Sequence, residues 1–374
     1  MRRSVIVIFL LLFPFFVYSA EITKSFKVSG ALTSVFQSLD RSRGEVPQKG
    51  RVSAALDISL EYMPREEDQF FLKVSFAEGS GLSSYSRYPF YVSCNADNLE
   101  RDLRDINGRG RDNLLEVWYA RTFKLKGDLS LRFTGGIIDS ATFIDENEYA
   151  GDEIGQFMNE AFVRNPLANL PSYDWGGALE FLGKRSSFRI VGMSSKNENE
   201  LLPKKSYSWV GAQLGVNLST GIGDGNYRIY GYTTNKRFED WEGQNYKRLR
   251  GFGLSFDQEI VKEIMNAFFR LGTQSDSAKV DYKNMLSFGL NFSGKAWKRA
   301  KDEIGMGYAY LKSPKRKEDV KRTNVFEAYF KLHLLEYKFL SSDITFDYQY
   351  ISENLKEATK RAGNILGARL NVSF

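Results

Sequence analysis

The sequence predicts an all-β chain: a transmembrane antiparallel β-barrel of about sixteen strands, built as one domain behind an export signal. Three observations carry this expectation. The only continuous apolar run lies at the N-terminus and is short. Segment after segment alternates apolar and polar side chains with period two. The last alternating segment ends the chain on an aromatic, Phe374. A strand that crosses lipid must pair its backbone groups with neighbouring strands and show the bilayer apolar side chains, so it alternates over about ten residues.

The N-terminus reads as an address. Arg2 and Arg3 give a positive start, Val5 to Val17 an apolar run containing Pro14, and Ser19 and Ala20 small residues for cleavage. Residues 1–20 are therefore expected to be a cleaved signal peptide, and 21–374 a single barrel domain. The apolar run is too short to span a bilayer comfortably, and no later segment approaches the about 18 apolar residues a membrane helix needs. Mean hydropathy is −0.38, as expected where only every second strand residue faces lipid. Aromatics at 14%, 32 Gly and 8 Pro fit long strands, tight turns and aromatic girdles at the interfaces.

Alternation places strands at 26–38, 50–63, 69–79, 113–125, 128–138, 173–183, 186–195, 206–219, 225–235, 247–260, 266–275, 280–293, 302–312, 322–335, 340–351 and 363–374. The number is even, as closure with both termini on one side requires. In the last segment Leu366, Ala368, Leu370 and Val372 share one face, with Gly367, Arg369, Asn371 and Ser373 on the other. Val210, Ala212, Leu214 and Val216, then Phe326, Ala328, Phe330 and Leu332, then Ile344, Phe346, Tyr348 and Tyr350 repeat the pattern. Turn signals separate the segments, among them Lys126-Gly127-Asp128 and the run Gly221 to Gly225. Two connections are long, residues 80–112 and 139–172. If the first strand rises from the periplasm, the second of these is the third outer loop, the one that narrows the lumen of sixteen-stranded pores.

Several function classes are excluded or weakened. The 52 Lys+Arg against 46 Asp+Glu leave a formal charge of +6, with both signs abundant and no nucleic-acid motif. His333 is the only His and Cys94 the only Cys, which removes His-based triads, His–Cys zinc sites and internal disulfides. Gly221-Ile222-Gly223-Asp224-Gly225 lies between strands and reads as a hairpin turn, not a phosphate cradle. No enzyme, cofactor or metal site is expected.

At the third outer loop the sequence resembles a known family. The stretch GIIDSATFIDENEYAGDEIGQFMNEAFVRNPLANLPSYDWGGALEF is similar to the carbohydrate-selective porins of the OprB type. It carries Gly136, Asp139, Phe143, Asp145, Asn147, Tyr149, Ala150, Asp152 and Glu153, then Phe157 and Asn159, then Asn165 and Pro166. Trp297, Arg299, Asp302 or Glu303, and Gly305 or Gly307 resemble a later family segment, without the Pro that usually follows the Arg. The resemblance covers roughly residues 110–374 and lacks the N-terminal surface-layer segment of photosynthetic relatives. It implies an outer-membrane porin passing small hydrophilic solutes, sugars foremost. A general or ion-preferring pore and a structural barrel with a plugged lumen stand as alternatives. Expected partners are outer-membrane lipids, the solute, and the barrel assembly machinery through Phe374. A homotrimer is a candidate assembly with no interface signature in the sequence.

The loop is acidic. Folded inward, Asp139, Asp145, Asp152 and Glu153 would face Arg on the opposite wall and set up a transverse field that orients polar solutes. The resemblance adds Asn147, Asn159 and Asn165. Arg132, Arg189, Arg228, Arg270 and Arg369 fall on the polar faces of their strands, where a guanidinium offers a fork of donors to hydroxyls. On the lipid face such an Arg costs about 2–4 kcal/mol at the bilayer midplane. Trp118, Trp209 and Tyr230, with Tyr232, also fall on polar faces and are candidates for stacking on sugar rings; packing under the loop is the competing reading. Phe143, Tyr149 and Phe157 are expected to pin the loop to the wall.

Overall fold

The computed structural model describes residues 21–23, 25–196, 206–357 and 360–374; the expected signal segment lies outside them. Sixteen antiparallel strands form a closed barrel. They are β1 (Phe26–Arg43), β2 (Lys49–Arg65), β3 (Asp68–Gly79), β4 (Leu114–Lys124), β5 (Ser130–Ile138), β6 (Asp174–Leu182), β7 (Ser186–Lys196) and β8 (Ser206–Ser219). There follow β9 (Asp224–Thr234), β10 (Arg250–Val261), β11 (Met265–Gln274), β12 (Asn284–Ser293), β13 (Glu303–Lys312), β14 (Val320–Tyr337), β15 (Leu340–Leu355) and β16 (Arg361–Ser373). Each strand pairs with the next, and β16 closes on β1, with Leu370 opposite Ser34. The backbone of Phe374 exchanges two 2.9 Å hydrogen bonds with Gly30, so the terminal aromatic completes the seam. The short strand Glu21–Thr23 pairs with the start of β1.

The strands differ from their expected ranges mainly at the end with long connections. β1 and β15 run further there, to Arg43 and Leu355, while β14 runs further at the other end, to Tyr337 beside the 338–339 turn. β10 and β12 start later, because residues 238–247 carry a separate small hairpin, Phe238–Glu239 with Tyr246–Lys247, and 275–283 form a loop. Connections 66–67, 125–129, 183–185, 220–223, 262–264 and 338–339 are tight turns at one end; 294–302 is longer there. The other end carries 80–113, 139–173, 235–249, 275–283 and 313–319. Short periplasmic turns and long outer loops orient the barrel.

The outward rows are apolar and open: Phe36, Phe133, Leu214, Ile229, Phe288, Phe346 and Leu366 are all exposed at the barrel surface. The inward rows interlock by size. Tyr230 lies opposite Gly253, Tyr232 opposite Gly251, Phe268 opposite Gly289 and Tyr329 opposite Gly305. A methyl group on any of these four glycines would overlap the neighbouring ring. Large rings therefore lie flat on the wall of β9–β14 and make an apolar bed inside the barrel.

Candidate functional site

The third outer loop, 139–173, enters the barrel interior. Its shape is set by three polar side chains that cap short turns. Asp139 accepts from the N–H of Ala141 at 3.0 Å, Asn159 from Ala161 at 3.1 Å and Asn165 from Leu167 at 3.0 Å. Each satisfies a backbone donor that a tight helical turn leaves free. The apolar side chains between the caps bury against the bed. Phe157 meets Phe268 and Tyr329 edge-on at 5.3 and 4.9 Å, and Phe162 stacks obliquely on Phe157 at 5.0 Å. Phe143 and Ile144 pack with Val191, Met193 and Trp209 on the β7–β8 side.

Carbonyls turned toward the wall lose water and need donors, and two arginines supply them. Arg270 on β11 donates to the carbonyls of Ala150 (2.6 Å), Asp145 (3.1 Å) and Phe162, and its Nε reaches the Asp145 carboxylate at 3.1 Å. Arg369 on β16 donates to the carbonyls of Glu153 (2.7 Å), Ile154 (2.8 Å) and Gln156 (2.6 Å). On β14, Glu327 accepts from the N–H groups of Met158 (2.6 Å) and Asn159 (2.9 Å). Tyr230 Oη donates to Asp145 at 3.0 Å and accepts from Asn165 at 2.7 Å. Asn147 donates to the Phe256 carbonyl at 3.0 Å and Asn159 to Gln349 at 3.0 Å.

These contacts correct part of the sequence reading. Asp145, Asn147, Asn159, Asn165, Arg270 and Arg369 do not line open space: they are at most 8% exposed and are spent on one another, on the loop backbone or on the wall behind it. Trp209 and Tyr230 do not offer a face to a solute. Trp209 is fully buried, stacked on Tyr232 at 6.0 Å, with its indole N–H on the Ala168 carbonyl at 3.3 Å. The reason is shared: a loop docked in a barrel must have its polar atoms answered by the wall, and the nearest inward residues answer them.

The other expected residues, except buried Asp139, keep partial contact with open space. Arg189 pairs with Glu180 at 2.9 Å and with Glu146, Arg228 with Asp257 at 2.6 Å, and Arg132 with Glu180 at 3.7 Å. Asp152 is exposed, Glu153 half-buried and Asp139 buried beside Arg164 at 3.4 Å. Trp118 stacks on Phe71 at 4.9 Å and faces a recess of about 230 Å³ shared with Arg132, Thr142 and Glu180.

Sequence reasoning missed the second outer loop, 80–113, which also folds in. Leu82, Phe90, Val92 and Cys94 are buried with Phe157 and Phe162 in one cluster. The Cys94 carbonyl accepts from Gln37 at 3.1 Å and Gln349 at 3.4 Å, and the two loops bond through Ser93 N–H to Glu160 at 2.9 Å. Arg109 pairs with buried Asp174 at 3.0 Å. The apolar residues scattered through this otherwise polar stretch were the available signal.

Between the two loops and the wall of β2–β4 lies a seam of charge. Lys73 sits 2.9 Å from Asp57 and within electrostatic range of Asp97, Glu116 and Glu153, and Glu116 and Glu153 in turn lie within range of Asp139 and Arg164. A recess of about 260 Å³ above it includes Ser83, Asn95, Asp97 and Glu153, and the Trp118 recess adjoins through Glu116, whose carboxylate takes the Trp118 indole N–H at 3.1 Å. Burial, then the carboxylates of Asp57 and Glu153, push the Asp97 acid up to about 7. Lys73, Asp57, Asp97, Glu116 and Arg164 were not singled out in the sequence; the inward alternation of Lys73 and Glu116 was the readable part. Among the described residues no His, Cys, Asp and Glu cluster is arranged to hold a metal ion.

The model of the OprB family of carbohydrate-selective porins matches residues 96–374. The chain belongs to this family. A protein of Aquifex aeolicus (strain VF5), described as uncharacterized, is 33% identical over 308 residues, covering 82% of this chain and 84% of that one. The high-pH structure of Pseudomonas putida OprB superposes with a TM-score of 0.73 at 14% identity, covering 94% of each chain. Its low-pH structure gives 0.56 at 13% identity, covering 94% of this chain and 93% of that one. Family and fold are those of channels in the bacterial outer membrane, not of enzymes. The later family segment builds the long periplasmic turn. Asp302, not Glu303, is the acid that answers Arg299 and the Trp297 indole N–H (3.4 Å), and it also accepts from His333 N–H at 3.0 Å.

Proposed function

We propose that this porin passes small hydrophilic solutes, carbohydrates foremost, by passive diffusion along the β2–β7 side of the barrel. The carrying observation is the asymmetry of the interior. On the β8–β16 side two inward loops pack on an aromatic bed beneath an outer recess of about 560 Å³ that includes Glu160, Asn169, Gln274 and Lys279, while the opposite side keeps half-exposed polar groups between two recesses. The loop 139–173 acts as the constriction, Lys73, Glu116, Arg164 and Glu153 line it, and Trp118 on the periplasmic side of the seam offers a ring face. Asp139 acts through Arg164, and Arg132 with Arg189 lines the exit. A sugar brings hydroxyls for the charged groups and C–H faces for the indole. The packed half also gives the plugged-barrel alternative a definite form, in which the seam is closed too.

Liposome swelling with mono- and disaccharides, run beside single-channel recording with sugar titrated into the bath, separates the readings. Sugar-dependent swelling with small conductance supports the proposal. Large conductance indifferent to sugar supports a general pore. Folded barrels that pass nothing support a plug.

A further inference from the structure

The seam's charge is unequal. Five carboxylates, Asp57, Asp97, Glu116, Asp139 and Glu153, face two cations, Lys73 and Arg164, and exposed Asp152 stands beside Glu153. Each cation has a close partner: Lys73 is 2.9 Å from Asp57 and Arg164 is 3.4 Å from Asp139. The other three carboxylates are each met by a neutral donor. Asn98 N–H reaches Asp97 at 2.7 Å, the Trp118 indole reaches Glu116 at 3.1 Å, and the Asn95 amide reaches Glu153 at 3.2 Å. An ionised carboxylate only accepts and has about four lone-pair sites, so these three keep acceptor capacity pointed at whatever fills the seam.

Outside the seam the route is balanced. Arg101 sits by Asp102 at 3.5 Å in the upper recess, and Arg132 and Arg189 meet Glu180 and Glu146 below. The excess of acceptors is therefore local to one level of the pathway.

We infer that this level is a charge filter, favouring solutes that bring donors: neutral polyhydroxyl compounds and amino-bearing sugars pass in preference to sugar acids and sugar phosphates. The inference rests on the pore reading above and adds the charge class of the solute. A hydroxyl can donate to Glu116 or Glu153 while its oxygen accepts from Lys73 or Arg164. An ammonium donates three times. A carboxylate or phosphate finds both cations already paired and the surplus acids repelling it.

The test uses proteoliposomes of the mature chain at about pH 8 and low salt, where screening is weak. Entry of glucose, N-methylglucamine (an amino polyol that is an ammonium at this pH) and glucuronate is compared for the wild type and for the variant Asp97→Asn/Glu116→Gln/Glu153→Gln. Folding of both is checked by heat-modifiable gel mobility. Glucuronate is expected to enter about fivefold more slowly than glucose, the Boltzmann factor of one close like-charge contact in water, with N-methylglucamine at least as fast as glucose. The variant is expected to lose most of this difference. Glucuronate entering as fast as glucose in the wild type, or discrimination unchanged in the variant, would overturn the filter while leaving the pore standing. If no solute enters from folded barrels, the pore reading falls and the filter with it.

Discussion

Replacing Arg270 by Ala tests what holds the third outer loop inside the barrel. Arg270 and Asp145 are both fully buried, and the guanidinium also serves the carbonyls of Asp145, Ala150 and Phe162. Losing one partner of a buried pair costs about 3–5 kcal/mol, because the other charge is left unanswered. At about 1.4 kcal/mol per decade, the balance between docked and released loop shifts by about 10²- to 10³-fold or more. Barrel closure does not depend on this residue's side chain, since β11 keeps its backbone pairing with β10 and β12. Arg369 still holds Glu153, Ile154 and Gln156. The expected result is a folded, heat-modifiable protein whose single-channel current is larger and noisier. Changing Asp145→Ala as well removes the orphaned carboxylate, so the double variant should be less disturbed than the two single effects summed. A folded Arg270→Ala protein with wild-type conductance and noise would refute the anchor.

Further outcomes follow from the same contacts. Tyr230→Phe deletes the hydroxyl between Asp145 and Asn165 and should cost about 1–3 kcal/mol in unfolding while leaving sugar block of the current unchanged. Trp118→Ala should do the reverse in its main effect, weakening sugar block, since the indole borders the recess beside Arg132, whose guanidinium lies 5.9 Å from its ring centre. Asp97 is protonated below about 7 and charged above it, so reversal potentials in a salt gradient should become more cation-selective as pH rises through that value, and Asp97→Asn should shrink the step. The raised acid also means that Asp97 contributes most to stability at low pH, and that the contribution is lost as pH rises through about 7. Deleting Phe374 should lower the amount of heat-modifiable barrel in the outer membrane if the terminal aromatic is read during assembly; unchanged amounts would leave it only the role of pairing with Gly30.

The strands were legible because lipid imposes the same outward rule on each, Leu366, Ala368 and Leu370 outward with Gly367 and Arg369 inward, even where the loops bury apolar inward residues such as Leu311 and Ile365. The site was less legible because an inward residue has two fates. Arg270 and Arg132 look alike in sequence, each polar between apolar neighbours, yet one is sealed under the loop and the other borders a recess. Which fate applies depends on where the loop lands, and that is a long-range fact. The caps Asn159 and Asn165 show the same limit. Their spacing marked a family motif, but their work on Ala161 and Leu167 needed the turn geometry to be seen.

The landing place itself has a local cause. Inward positions on β9–β14 pair rings with glycines, as in Tyr230 with Gly253, Phe268 with Gly289 and Tyr329 with Gly305, so that wall holds a dished apolar strip between polar anchors such as Arg270 and Glu327. Inward positions on β2–β4 carry Asp57, Lys73 and Glu116, which lose hydration if covered. A loop bearing Phe157 and Phe162 gains by lying on the first wall and loses by covering the second. The charges that the loop does cover, Arg270 and Glu327, are met by its own backbone, and the open route lies on the side whose charges it does not meet in this way. Filling the bed should therefore move the loop: Gly305→Leu would collide with the Tyr329 ring on which Phe157 rests. It should change conductance from a position that touches no solute. A folded Gly305→Leu barrel with unaltered current would show that the loop is held by its polar anchors alone.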